Sequence, residues 1–189
     1  MDEIDRRIIS RLEKDGRTPY ERLAKDLGMT GVAVKKRVNK LIAGDLIFIG
    51  SQLNTRALGY FLSLVLLEVD NDEHMKEIIY VFGRCPRVIS MFTGLGRYNL
   101  IVLTLAEDRR TLESELMGSC SLRSKEGIRK SEVIQLEGKL PSPFLPVRSS
   151  LATKDEEYAP CGVLCASCDR YNADLCLGCP ATRSYRDGL

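Results

Sequence analysis

The sequence predicts an α+β chain in three parts: an N-terminal helix-turn-helix domain, a ferredoxin-like βαββαβ domain and a small cysteine-rich extension. Three observations lead there. Pro19 to Ile49 carries apolar residues at helical spacing, broken by one tight turn; from Tyr60 strand-like runs alternate with helical ones; and five cysteines fall within nineteen residues near the C-terminal end. The corresponding parts are residues 1–51, a connector 52–59, the βαββαβ domain 60–140, a linker 141–160 and the tail 161–189.

Asp2 to Asp15 reads as a first helix with Ile4, Ile8, Ile9 and Leu12 on its core stripe and acids at its positive end. Gly16 stops it, and Thr18-Pro19 opens the next helix with a cap and a first-turn proline. Tyr20, Leu23, Ala24 and Leu27 recur at i, i+3, i+4, i+7 and form one buried stripe. Gly28 terminates that helix, Met29 fills the turn and Thr30 caps a third helix whose buried face is Val34, Val38, Leu41 and Ile42. Two helices so joined make a DNA-reading motif, the second entering the major groove. Its outward candidates are Thr30, Val32, Ala33, Lys35, Lys36 and Lys40, where apolar groups meet thymine methyls and lysines meet guanine edges or phosphates. Charge placement supports double-stranded DNA as partner: residues 1–50 hold eleven Lys or Arg against eight Asp or Glu, whereas residues 51–140 balance at twelve each. Leu46 to Ser51 reads as a short extended piece, a wing or a linker strand.

Tyr60 to Val69 (YFLSLVLLEV) reads as a buried strand, Asp72 to Gly83 as a helix, Arg87 to Thr93 as a strand, and Gly94-Leu95-Gly96 as a turn. Tyr98 to Ala106, Asp108 to Met117 and Ile128 to Leu136 complete the order as strand, helix and strand. Two helices cover one face of such a sheet, and its strands are apolar at nearly every position. The second face therefore wants a partner, which predicts a homodimer or higher homo-oligomer packed sheet to sheet. Leu140 to Pro160, with four prolines and an acidic run, reads as a linker.

At 44% hydrophobic and 29% charged residues the composition is that of a globular protein. No run approaches the ~18 apolar residues of a membrane span, and the acidic start MDEIDRR has no apolar leader core. A cytoplasmic, reducing setting is expected, with no membrane partner, so the cysteines read as thiols or metal ligands before disulfides. Cys161, Cys165, Cys168, Cys176 and Cys179 are spaced C-x3-C-x2-C-x7-C-x2-C. Paired C-x2-C turns present two thiolates each to one tetrahedral ion, which predicts zinc, with an iron–sulfur cluster as the alternative. Four of these suffice, leaving Cys161 as the spare. Cys85 and Cys120 read as small buried apolar residues.

The run DEIDRRIISRLEKDGR, the Arg37-Val38-x-x-Leu41 pattern, GDLI and the Gly-x-Tyr-x motif at Gly96 to Asn99 together resemble the leucine-responsive/asparagine-regulator (Lrp/AsnC) family of transcription factors, over residues 1 to about 140. The resemblance implies sequence-specific regulation of transcription without catalysis, and a second domain that dimerises and binds a small-molecule effector near Gly94, Gly96, Tyr98 and Asn99. Where that family often carries an aspartate after Gly-x-Tyr, this chain has Asn99, which offers an effector ammonium no full charge; the two glycines also suit a plain hairpin turn. With the effector acid lost and a thiolate cluster added, the expected signal is metal or redox state sensed by the tail. The same two-domain plan is also similar to siroheme decarboxylases, which lean on histidine and arginine; here the lone histidine is His74, beside Asp72 and Glu73.

Overall fold

A computed structural model describes residues 1–136 and 142–187. The expected domain end at 140 and linker start at 141 lie outside the described residues. The chain divides into two compact units, Met1–Ser51 and Gln52–Leu189.

The first unit is three helices, α1 (Glu3–Lys14), α2 (Tyr20–Leu27) and α3 (Gly31–Ala43). Its core is Ile8 and Leu12 from α1, Leu23 and Ala24 from α2, and Val34 and Val38 from α3. Leu41 is also buried, but Ile42 is 42% exposed, one position round the helix from the face that packs. Leu46 to Ser51 forms no strand; within it Ile47 packs on the helical core while Phe48 stands exposed.

The second unit contains the expected βαββαβ order: β2 (Phe61–Val69), α4 (Asp72–Phe82), β3 (Val88–Thr93), β4 (Leu100–Ala106), α5 (Arg109–Met117) and β5 (Ile128–Leu136), preceded by the short β1 (Leu53–Asn54). The sheet runs β3-β4-β2-β5 with every neighbouring pair antiparallel. Placing β4 between β2 and β3 is what a helical crossover between parallel strands allows. Alternate residues Val65, Leu67 and Val69 of β2 and Leu100 and Val102 of β4 face the helices and pack on Ile78 and Phe82 of α4.

The opposite face is partly covered from within the chain. β6 (Phe144–Leu145) pairs antiparallel with β1, and Leu145 and Val147 pack on Leu62, Ile89 and Leu105. The rest of that face, around Leu64, Leu66 and Ile101, is half-buried, and its neighbours Phe92 and Ile134 are 58% and 42% exposed.

The C-terminal region is not a separate cysteine-rich extension; it packs into the second unit. Arg148 donates to three backbone carbonyls between the end of α4 and the start of β3: Gly83 O (2.6 Å), Cys85 O (2.7 Å) and Val88 O (2.7 Å). Farther on, Ser114 Oγ on α5 donates to Leu175 O at 2.7 Å, and Arg170 Nε donates to the same hydroxyl at 2.6 Å. The short α6 (Asp169–Asn172) lies in this stretch, and Ala159, Cys165, Ala181, Thr182 and Tyr185 are buried within it. A buried ion cluster joins tail to body. Arg87 Nε binds both oxygens of Glu107 (2.9 and 3.2 Å), Arg87 Nη2 donates to Gly178 O (2.7 Å), and Tyr185 Oη donates to Glu107 (2.7 Å).

Candidate nucleic-acid interface

The helix-turn-helix is built from local signals that reinforce one another. Asp2 caps α1 by accepting from Asp5 N–H at 2.9 Å, while the Asp5 carboxylate accepts from Asp2 N–H at 3.0 Å, a reciprocal capping box. Gly28 closes α2 in the left-handed region at φ 65°, and Met29 N–H reaches back to Ala24 O at 2.9 Å, which fixes the tight turn. Thr30 Oγ then accepts from Ala33 N–H at 3.2 Å and starts α3.

Arg37 does not join the outward basic face. Its Nη1 bridges Asp2 (2.7 Å) and Asp5 (2.8 Å), tying the middle of α3 to the first turn of α1. The helix-capping N–H groups and this guanidinium hold both carboxyls below the usual range, and the carboxylates raise Arg37 in return. The remaining three basic residues of α3, Lys35, Lys36 and Lys40, are exposed and enter no ion pair among the described residues. Val32 is 80% exposed beside them, Thr30 is exposed and Ala33 half-buried. An apolar residue so exposed at the first turn of a helix, with free lysines one and two turns on, is a surface suited to a groove edged by phosphates.

The loop expected to hold an effector is arranged differently. Gly94, Leu95 and Gly96 are exposed and Gly96 takes φ 140°, a conformation suited to glycine. Asn99 turns its amide inward, accepting from Val69 N–H at 2.7 Å and donating to Val69 O at 2.8 Å. An aspartate could not make the second bond, so the amide is explained by tying the start of β4 to the end of β2. Tyr98 Oη donates to Glu132 at 3.0 Å.

The expected metal centre is overturned. Among the described residues no three His, Cys, Asp or Glu side chains come together in an arrangement that could hold a metal ion, so neither zinc nor an iron–sulfur cluster is supported. Cys161, Cys165, Cys168, Cys176 and Cys179 line a cavity together with Cys85 and Cys120. Cys165 Sγ accepts from the Cys179 N–H at 3.4 Å, Cys168 faces Ser119 Oγ at 4.0 Å, and Cys120 donates to Ser114 O at 3.8 Å. Burial pushes the Cys85 thiol up to about 11 and Cys179 up to about 12, and raises Cys120, Cys161 and Cys176 as well. Apolar surroundings favour the protonated form of these five thiols. The metal- or redox-responsive tail falls with the centre.

The catalytic alternative also fails. His74 sits at the start of α4, its Nδ1 2.7 Å from Asp70 Oδ1 and 3.0 Å from Asn71 Nδ2, and its backbone N–H is capped by Asn71. Its partners are those of a satisfied helix end, and Asp70 raises its pKa as a plain ion pair does.

Comparison with known proteins agrees with this geometry. Residues 1–42 match the family model of the AsnC-type helix-turn-helix domain. The regulator LrpA of Pyrococcus horikoshii is 30% identical over 117 residues, covering 59% of this chain and 80% of its own. The regulator FL11 of Pyrococcus abyssi is 28% identical over 137 residues, covering 71% and 90%. Among solved structures, that of PH0061 superposes with a TM-score of 0.68 at 26% identity over 75% of this chain and 97% of the other. E. coli AsnC shares the fold at a TM-score of 0.63 and 17% identity, covering 74% and 93%. None of this kinship points to a decarboxylase, and among the described residues no helix is long and apolar enough to cross a membrane. The chain therefore belongs to the Lrp/AsnC-type helix-turn-helix transcriptional regulators, which are not enzymes and which bind double-stranded DNA as homo-oligomers.

Proposed function

We propose that α3 is the reading helix of this regulator and that Thr30, Val32, Ala33, Lys35, Lys36 and Lys40 are its DNA contacts. The observation that carries this is the combination on one helix face of a bare Val32 with three lysines that enter no ion pair among the described residues, while Arg37 is withdrawn to hold the helix in place. Lys35, Lys36 and Lys40 supply phosphate contacts, and Val32 with the Ala33 methyl reads base edges. We further infer that copies pair through the open part of the sheet around Leu64, Leu66 and Ile101, which no segment of this chain covers among the described residues. For the Gly94–Asn99 loop, the structural role of Asn99 is the favoured reading; an effector there would meet the exposed Gly94 and Gly96 backbone and Tyr98.

The test is fluorescence anisotropy on an in vitro-selected duplex across a salt series. Replacing Lys35, Lys36 and Lys40 together by alanine should reduce the slope of log affinity against log salt by about 0.9 per lost phosphate contact, about 2.7 in all. Val32→Ser should leave that slope intact and change base preference within the half-site. An unchanged slope and affinity in the triple variant removes α3 as the contact surface.

A further inference from the structure

Beneath the tail, two carboxyl groups compete for one guanidinium. Arg87 Nε donates to both oxygens of Glu107, at 2.9 and 3.2 Å, and Glu107 takes the Tyr185 O–H as well. Glu115 Oε1 lies 3.1 Å from the same Nε yet receives no hydrogen bond, because that N–H is directed at Glu107. The side chains of Glu107, Glu115 and Arg87 are 2%, 15% and 6% exposed, so two ionised carboxylates would leave one negative charge uncompensated where water screens little of it. Other cations on the surrounding segments are engaged elsewhere: Arg123 with Ser131 Oγ and Leu116 O, Lys125 with Cys161 O, and Arg170 with Ser114 Oγ. The thiols around Glu115, Cys85 and Cys120 from the body and Cys161 and Cys176 from the tail, bring no positive charge. A proton on Glu115 neutralises the cluster. Burial pushes this carboxyl up to about 8, against the pull of Arg87 and with the help of Glu107.

The tail closes the cluster off from water. Gly178 O and Tyr185 lie on Arg87 and Glu107, and Ala159, Cys161 and Cys176 share a cavity wall with Glu115. Lifting the tail would not dismantle the main apolar core. That core is built from β2, α4, β3, β4 and Leu122, and among the described residues the tail adds only Cys161 at its margin.

We propose that docking of the C-terminal tail is coupled to one proton, so that Arg87, Glu107 and Glu115 form a latch that acid closes and alkali loosens. With the tail down, Arg87 is a cation, Glu107 a carboxylate and Glu115 the neutral acid. With the tail up, water solvates the Glu115 carboxylate and its proton passes to solvent. The docked carboxyl titrates near 8 and the solvated one near the ordinary 4.5. The proton's contribution to docking is therefore fully present below about 4.5 and is lost as the pH rises toward 8. Between those limits each pH unit shifts the equilibrium toward the open tail by about tenfold.

The test is amide hydrogen exchange of the full-length protein under EX2 conditions, corrected for intrinsic rates, from about pH 5.5 to about 7.5. The Leu177 N–H, which donates to Thr111 Oγ1 of α5 at 3.3 Å, reports the tail. Its opening constant should rise about a hundredfold across that range and exceed that of the β2 and β4 amides throughout. In Glu115→Gln the rise should disappear. Carbon-13 titration of the Glu115 carboxyl in the unaltered protein serves if that variant does not fold, and its midpoint should lie near 8. A pH-independent opening constant, an undiminished rise in the folded Glu115→Gln protein, a Glu115 carboxyl that titrates in the ordinary glutamate range, or exchange of Leu177 only together with the sheet overturns the proposal.

Discussion

Replacing Arg87 by methionine tests whether the tail is held by the buried ion cluster. The side chain is 6% exposed, with Glu107 at 2% and Glu115 at 15%, so solvent screens little of what is lost. Methionine fills most of the volume but strands the Glu107 carboxylate beneath Tyr185 and leaves Gly178 O without its donor. Removing one partner of a buried pair costs about 3–5 kcal/mol, much of it from the uncompensated charge left behind. For a unit of this size about 3 °C is lost per kcal/mol, so the melting transition should fall by on the order of 10 °C. Thermal and urea unfolding followed by circular dichroism give the stability, and limited trypsin digestion reports the tail separately, through cleavage at Arg170, Arg183 and Arg186. Glu107→Gln in the Arg87→Met background should recover part of the loss by removing the stranded charge. A loss below about 1 kcal/mol with unchanged digestion would show that the cluster is incidental to docking.

The same cluster sets a pH dependence. Glu115 titrates near 8 in the fold against 4.5 in the unfolded chain, so its contribution is fully present below about 4.5 and is lost as the pH rises toward 8; stability measured against pH should slope downward there in the wild type and flatten in Glu115→Gln. Asn99→Asp replaces a donor facing Val69 O by a carboxylate oxygen and should cost about 1–3 kcal/mol in urea unfolding; an unaltered midpoint refutes the tie between β4 and β2. Ile101→Glu places a charge in the open sheet face and should shift the assembly toward monomer by light scattering, and an unchanged mass moves the interface elsewhere.

What the sequence made legible is what local spacing dictates. The stripe through Tyr20, Leu23, Ala24 and Leu27, the stop at Gly28 and the cap at Thr30 are written within a dozen residues, and strand and helix periods announce the βαββαβ order. What failed depended on distant partners. The role of Arg37, which ties α3 to Asp2 and Asp5 more than thirty positions away, has no local signal. Ile42 fits the apolar spacing yet lies just past the edge of the packed face. The cysteine spacing suggested a metal because C-x2-C is a local cue, whereas the positions of Cys85 and Cys120 across the same cavity are set by the fold. The prolines and acids of residues 141–160 look like a tether. Arg148 and Tyr185, whose side chains reach into the body, have no periodicity to betray them.

The body grips the tail mainly by its main chain. Arg87 takes the carbonyl of Gly178, Ser114 that of Leu175, Lys125 that of Cys161, and Thr111 Oγ1 accepts the Leu177 N–H. A clasp of this kind cannot distinguish the side chains of the segment it holds. Substitutions at positions 175 and 177 should therefore drift in descendants at little cost, with Gly178 restrained separately by its left-handed φ of 86°. Selection would fall on the holders, Arg87, Thr111, Ser114 and Lys125, whose side chains make these bonds.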